Sequence, residues 1–456
     1  MSEQNQREQW GSKLGFILAA AGSAIGLGNI WKFPYVAGEN GGAAFVLIYL
    51  ICTALIGLPV LIGEILIGRT TSKDPVGAFK ALGKSKIWAS VGGMGVAAGF
   101  IILSFYAVVA GWSLGYIFEA ISGAFHDFPE PSQAAAHFED LTGNVYWIVG
   151  FFAIFMVMTM FVVVAGVQKG IERGSKIMMP ILFVLMIILV VRGLTLEGSE
   201  AGVAFLLHPD WSLITGKSIL EALGQAFFTL SMGMGAMLTY GSYMTKKDNV
   251  VTSAVNIVIL DTSIALLAGL AIFTSVFATG LDPTAGPGLI FHTLPVVFTK
   301  MPGGYVFSIV FFILLTIAAL TSAISLLEVI TAYFVDEKKW KRKNAVIVFG
   351  GITFLLGIPS ALSFNLLSDF HLFGLNFFDF ADYITANIML PLGGMFMAIF
   401  IAYRWGLDKA IANLREGAES LIDNNPVLVG IWKTSIKFIA PVMIFLVFLY
   451  SIGFFK

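Results

Sequence analysis

The chain is poor in charge: Asp, Glu, Lys and Arg together make up 12% of its 456 residues, where soluble domains run near about a quarter. It has one cysteine, Cys52, so no internal disulfide can form, and no CxxC or HExxH spacing offers a structural zinc or a redox dithiol. Basic and acidic residues nearly cancel, 27 against 28, which excludes the cationic footprint that nucleic acid requires as a partner. Low-complexity linkers are also missing. The longest polar stretches, near 124–143, 194–217 and 405–427, fit loops within one domain spanning 1–456. What is present instead is apolar: 57% hydrophobic residues, with 41 Phe, 17 Met and 9 Trp, at a mean hydropathy of +0.87. Such a chain has the lipid bilayer as its solvent.

Apolar runs of about 20 residues cross a bilayer as helices. Eleven are expected, near 14–36, 42–69, 88–123, 144–164, 170–193, 218–243, 250–280, 303–335, 344–359, 377–404 and 428–455. These runs far exceed the ~10 residues of a barrel strand, so the expected class is an all-α membrane protein. Lys and Arg set the orientation. With the N-terminus cytoplasmic, all but five of the 27 basic residues fall inside, the exceptions being Lys32, Arg192, Lys217, Lys300 and Lys456. An odd number of spans then leaves the C-terminus outside a cell membrane. Ala19, Ala20 and Ala21 could mark a signal-cleavage site, but the apolar core before them, Leu14 to Leu18, is shorter than the roughly 7 to 15 residues a signal needs. The first span is expected to stay in the mature protein.

Two spans carry an anomaly. The first contains Gly22-Ser23-Ala24-Ile25-Gly26-Leu27-Gly28-Asn29, and the sixth contains Thr229-Leu230-Ser231-Met232-Gly233-Met234-Gly235. Each interior Gly costs a helix up to ~1 kcal/mol relative to Ala. Small residues at a helix interface would explain one such run. Their positions argue for more, because they head two successive groups of five spans, about 10–193 and 218–404, with 428–455 as an extra helix. Five is odd, so the second group enters the membrane inverted. Interrupted helices at matching places in two inverted halves mark a transporter's midplane site, where freed N–H groups meet anions and freed carbonyls meet cations. Asn29, Thr229, Thr321 and Ser322 add neutral oxygens there, and Asp261 adds a carboxylate deep in the seventh span. An ionisable group at that depth costs at least about 2.5 kcal/mol and marks an ion path or a polar pairing.

The runs AAAGSAIGLGNIWKFPYVAGENGG, AFFTLSMGMGAMLTYGSY and AALTSAIS together resemble the neurotransmitter:sodium symporter family and its bacterial LeuT-like amino-acid transporters. The resemblance covers nearly the whole chain and implies a 5+5 inverted repeat with unwound helices 1 and 6, in the shorter eleven-helix form. It implies two sodium ions as co-substrates. The first would be held by Ala24, Asn29, Thr229 and Asp261 with the substrate carboxylate, the second by Gly22, Ile25, Ala318, Thr321 and Ser322. All-oxygen sets of low charge suit a hard monovalent cation rather than zinc or copper.

For the substrate, the resemblance places Tyr106 as donor to a carboxylate, with Ala24, Gly26, Leu27 and Thr229 around the unwound backbone. Ile102, Phe228, Ser231, Met234, Ser322 and Leu326 would line the side-chain pocket. Gly26 stands where carriers of amines lacking a carboxylate tend to have Asp, which implies an α-amino acid. No charge faces the side chain, so a neutral, mainly hydrophobic or aromatic L-amino acid is expected. Met234, where many relatives have Phe, repacks easily and implies breadth.

The resemblance also implies gates. Lys32 replaces the family's outer Arg, with Asp382 as expected partner and a looser gate because Lys lacks the bidentate fork. Arg7, Asp336 and Trp10 match an inner latch. Of the chloride ligands of animal relatives, Tyr49, Gln225 and Ser231 or its neighbours remain, but Ala265 replaces a Ser and Asp261 replaces an Asn. Asp261 is therefore expected to supply the fixed negative charge, making transport chloride-independent and leaving proton counter-transport open as a return step. Glu64 is expected to hold the unwound backbone, and Gly170 with Pro180 at the head of the fifth span resembles the family's inner-gate spacing, which a static kink explains equally well. A non-transporting amino-acid sensor is the alternative function. An enzyme is not expected, since the five His lie in predicted outer loops away from any nucleophile.

Overall fold

The computed structural model describes residues 7–128, 130–283 and 289–454, apart from the side chains at 126 and 127; Lys456 lies outside the described residues. In chain order the helices are α1 (Lys13–Ala24), α2 (Gly28–Glu39), α3 (Ala43–Thr71), α4 (Pro75–Gly83), α5 (Lys86–Ser122), α6 (Pro131–Gly143), α7 (Val145–Val164), α8 (Val167–Leu194) and α9 (Glu200–Leu207). They continue with α10 (Gly216–Thr229), α11 (Ala236–Gly241), α12 (Val250–Ala278), α13 (Thr293–Lys300), α14 (Gly304–Asp336), α15 (Arg342–Leu362), α16 (Phe377–Arg415), α17 (Glu419–Asn424) and α18 (Pro426–Ser451). Among the described residues nine helices are long and apolar enough to cross a membrane, and α1 with α2 forms a tenth span bent by 51°. The pair α10 and α11 occupies the place of the sixth expected span.

Helix ends follow local chemistry. Ser12 caps α1 by accepting from the Gly15 N–H at 3.0 Å, and Asp74 caps α4, where Pro75 takes the first position and loses no hydrogen bond. Thr215 and Ser218 form a reciprocal capping box on α10. Gly123, at φ 81°, closes the long α5 in a left-handed turn. The polar connections fold into α6, α9 and α13, which lie between spans.

The deeply buried α14 packs along α5, while α1 lies between α12 and α14, and α11 lies against α3. Their core is aromatic and aliphatic, with Phe16, Phe33, Tyr49, Phe152, Phe273 and Phe312 essentially inaccessible. Some buried charges are matched within the bundle. The buried Arg69 at the end of α3 donates to the carbonyls of Asp248 and Glu416, each at 2.7 Å, and to that of Asn413. Glu328 on α14 is paired with Arg342 and accepts from the Tyr243 hydroxyl.

Candidate functional site

The two glycine-rich runs become two breaks in helix. After Ala24 the backbone of Ile25 turns extended (φ −72°, ψ 106°), and helix resumes only at Gly28. After Thr229 it crosses Leu230–Gly235 without helix, with Ser231 at φ 53°, Gly233 at φ 84° and Gly235 at φ 78°. Left-handed backbone of this kind costs little only at glycine, which accounts for two of the three. Side chains serve the opened backbone. Glu64 Oε1 accepts from the Gly233 N–H at 2.7 Å, and Gln225 Nε2 on α10 donates to the Gly28 carbonyl at 2.8 Å, tying one break to the other. The backbone-holding role expected of Glu64 is the geometry found.

Between the breaks lies a cavity of about 30 Å³, lined by Ala24, Gly26, Leu27, Ile102, Tyr106, Phe228, Ser231, Met234, Ser322 and Leu326. Of the expected substrate residues only Thr229 is absent from the wall; its hydroxyl faces the other way. The Leu27 N–H donates to Tyr106 Oη at 3.2 Å, leaving the tyrosine's own hydrogen for another acceptor. Gly26 is needed for close approach, because a Cβ there would stand 2.8 Å from Tyr106 Oη and closer still to Ser322 Oγ. Ser23 and Ser325 also line the cavity. Sequence reasoning missed them, since a lone serine in an apolar helix ordinarily bonds its own preceding turn.

Beside the cavity two oxygen-rich groups assemble. In the first, Asn29 Nδ2 donates to Asp261 Oδ1 at 2.7 Å and to the Asp261 carbonyl at 3.1 Å, while Asn29 Oδ1 accepts from the Gly26 N–H at 3.2 Å. Thr229 Oγ1 donates to the Gln225 carbonyl at 3.1 Å and lies 3.4 Å from Tyr49 Oη. Asp261 is fully buried and its Oδ2 has no hydrogen-bond partner. A buried carboxylate oxygen without a donor fits a monovalent cation. In the second group, Thr321 Oγ1 donates to the Ala318 carbonyl at 2.9 Å, and Ser322 Oγ donates to the carbonyls of Ser23 at 3.1 Å and Ile25 at 3.3 Å. Gly22 completes the approach, a Cβ there falling 3.2 Å from that of Thr321. Among the described residues no trio of His, Cys, Asp or Glu gathers, so both groups offer hard oxygens alone.

Of Ser231 and its neighbours, it is Thr229 that lies beside Tyr49, while Ser231 lines the cavity. The left-handed turn at 231 sends its hydroxyl to the Ser23 carbonyl at 2.9 Å, and Thr229 is the residue at Tyr49.

The two ends of the bundle differ. At one end Arg7 is ion-paired with Asp336, donates to Ser242 Oγ at 2.6 Å and lies 4.7 Å over the Tyr243 ring. Trp10 Nε1 donates to the Tyr240 carbonyl at 2.9 Å, and the Asp74 N–H donates to Asp336 at 2.9 Å. Burial pushes the Asp74 carboxyl up to about 6, against the pull of Arg7. At the other end the expected Lys32–Asp382 ion pair is not made. The turn Gly28–Lys32 carries the Lys32 ammonium over the Phe228 ring at 4.4 Å, and its nitrogen makes no ion pair with the Asp382 carboxylate. A flexible stem without Arg's fork settles on the nearest ring face. None of the described histidines lines the cavity.

Residues 7–127 and 135–456 match the model of the Sodium:neurotransmitter symporter family. The chain is 46% identical over 453 residues, 99% of each protein, to the uncharacterized sodium-dependent transporter YhdH of Bacillus subtilis (strain 168). It is 27% identical to the sodium- and chloride-dependent taurine transporter of Canis lupus familiaris, over 98% of this chain and 78% of that one. Among solved structures it is similar to MhsT in complex with L-phenylalanine, with a TM-score of 0.88 and 49% identity, covering 98% of this chain and 100% of that one.

Proposed function

This chain belongs to the sodium:neurotransmitter symporter family, a family of sodium-coupled membrane transporters and not of enzymes, and within it we propose a carrier of neutral, mainly hydrophobic or aromatic L-α-amino acids. The observation that carries the reading is the joining of the two helix breaks around one cavity, whose wall includes Tyr106 and the Leu27 amide together with apolar Ile102, Met234 and Leu326. The L-phenylalanine in MhsT's structure supports an α-amino acid as cargo.

In this reading the pairs α1/α2 and α10/α11 are each one span, which brings the total to eleven. The first ten form two inverted groups of five and α18 stands apart. The protein sits in the cell membrane with its N-terminus cytoplasmic and its C-terminus outside, so the Arg7–Asp336 end is the inner gate and the Lys32 end the outer one. Two sodium ions travel with the substrate. Ala24, Asn29, Thr229 and Asp261 hold one, with the substrate carboxylate completing the set, and Gly22, Ile25, Ala318, Thr321 and Ser322 hold the other. Because Asp261 already places a negative charge beside Tyr49 and Gln225, transport proceeds without chloride. Alternating access follows if ions and substrate together favour a closed state that neither favours alone.

The test is accumulation in proteoliposomes. An imposed inward sodium gradient should drive leucine, tyrosine or tryptophan uptake with gluconate in place of chloride, and sodium-independent or absent uptake would overturn the reading.

A further inference from the structure

Four serines face the substrate cavity, and their hydrogens are all committed elsewhere. Ser231 Oγ donates to the Ser23 carbonyl at 2.9 Å, and Ser322 Oγ donates to the same carbonyl at 3.1 Å. Ser325 Oγ donates to the Ser322 carbonyl at 2.8 Å, so its 2.7 Å contact with Ser23 Oγ must have Ser23 as the donor. Each hydroxyl has one hydrogen and two lone pairs. The relay therefore ends with Ser23 Oγ, which donates to Ser325 and accepts from no group among the described residues. Ser23 is 1% exposed and lines the cavity, so its oxygen keeps unused lone pairs in the cavity wall.

We propose that Ser23 and Ser325 form a specificity element that favours substrates whose side chain ends in a hydrogen-bond donor, an indole N–H or a phenol O–H, over a plain phenyl ring. The proposal rests on the amino-acid transport reading above and narrows it. Ser23 is oriented for the task by Ser325, because helix α1 ends one residue later and the Ser23 hydroxyl points across to α14 instead of back along its own turn. The cavity residues Ile102, Met234 and Leu326 are apolar and offer a side-chain donor no acceptor. An acceptor in the wall gives a ligand carrying the donor one more hydrogen bond than its donor-less isostere can make.

The test uses a pair of isosteres: tryptophan and 3-benzothienylalanine, in which sulfur replaces the indole N–H. In proteoliposomes driven by sodium, wild type should take up tryptophan with a kcat/KM about three- to tenfold above the isostere, the worth of one neutral hydrogen bond. Ser23→Ala should bring that ratio near one. Ser325→Ala, which keeps the acceptor but frees its hydrogen to turn into the cavity, should narrow the ratio without erasing it, and serves where Ser23→Ala does not fold. Equal uptake of the two isosteres by wild type, or a ratio that neither variant moves, overturns the inference while leaving transport intact. A protein whose melting temperature in sodium rises with no amino acid at all overturns the transport reading and this inference with it.

Discussion

Adding one methyl group at Gly26 should disable substrate binding while leaving the fold standing. The Cβ of Gly26→Ala would stand 2.8 Å from Tyr106 Oη, 3.3 Å from Ser322 Cβ and inside contact of Ser322 Oγ. None of these neighbours can swing away cheaply, because Tyr106 is held in α5 and Ser322 in the middle of α14, both buried. Relief requires Tyr106 to retreat by roughly half an ångström, and its bond from the Leu27 N–H, already 3.2 Å long, would not survive. Overpacking of this kind costs about 1–3 kcal/mol, and a lost hydrogen bond adds about 1 kcal/mol. A total of about 2–4 kcal/mol falls on the state in which a carboxylate must share Tyr106 and the Leu27 amide, which corresponds to a loss of roughly thirtyfold or more in affinity. Equilibrium binding of radiolabelled phenylalanine in sodium, read beside thermal unfolding, measures it. Binding within threefold of wild type, at an unchanged melting temperature, would refute the assignment of Gly26 to the carboxylate side.

Other perturbations reach other parts of the machine. Glu64→Leu leaves the Gly233 N–H buried without an acceptor and should destabilise by about 1–3 kcal/mol, whereas Glu64→Gln keeps an acceptor and should lose much less; equal melting temperatures would count against the role given to Glu64. Arg7→Ala and Asp336→Ala should not be additive. Their pair is partly exposed, at 16% and 22% of the side chains, so a coupling of about 1 kcal/mol is expected in a double-mutant cycle on inner-side accessibility, and zero coupling would remove the latch. Asp74 should make stability fall as pH rises from about 4 to about 6, because burial lifts its folded value above the 3.8 of the free group and the folded state then holds the extra proton in that window. Asp74→Asn keeps an acceptor oxygen for the Val76 and Gly77 N–H groups and should flatten that part of the melting-temperature profile; parallel profiles for the two proteins would contradict it.

The long spans were legible because lipid demands a continuous apolar run and tolerates no open backbone. The stretch expected at 88–123 is Lys86–Ser122, and that at 250–280 is Val250–Ala278. Where a span ends in a turn rather than in polar sequence, the reading stopped early: α16 continues past 404 to Arg415 through the wide turn Phe400–Gly406. The breaks were legible as glycine where helix should forbid it. Side-chain direction was not. Ser231 and Thr229 are two residues apart and nearly equivalent on paper, and only the left-handed turn at 231 assigns one to the cavity and the other to Tyr49. Lys32 could be matched to Asp382 by pattern, but the choice between a carboxylate and the Phe228 ring is made by the reach and angle of one side chain.

That choice makes the two ends of the bundle unequal. Phe228 lines both the central cavity and a second one of about 70 Å³ that includes Lys32, Asn387 and Leu390. This aromatic ring, with a cation over it at 4.4 Å, thus lies between the two cavities, and an exposed cation–π contact is worth about 0.5–1 kcal/mol. The Arg7 end is held by many contacts at once. Arg7 and Trp10 engage α14 and the end of α11, and just beyond them the Gly11 N–H and Ser12 Oγ donate to Glu172 on α8 at 2.6 and 2.9 Å, while the Val167 N–H donates to Glu8 at 2.5 Å. In the proposed orientation, opening inward breaks these together, at about 0.5–1.5 kcal/mol each. Ligands that favour the closed state must offset that cost, and in this reading that requirement is what ties the movement of substrate to sodium.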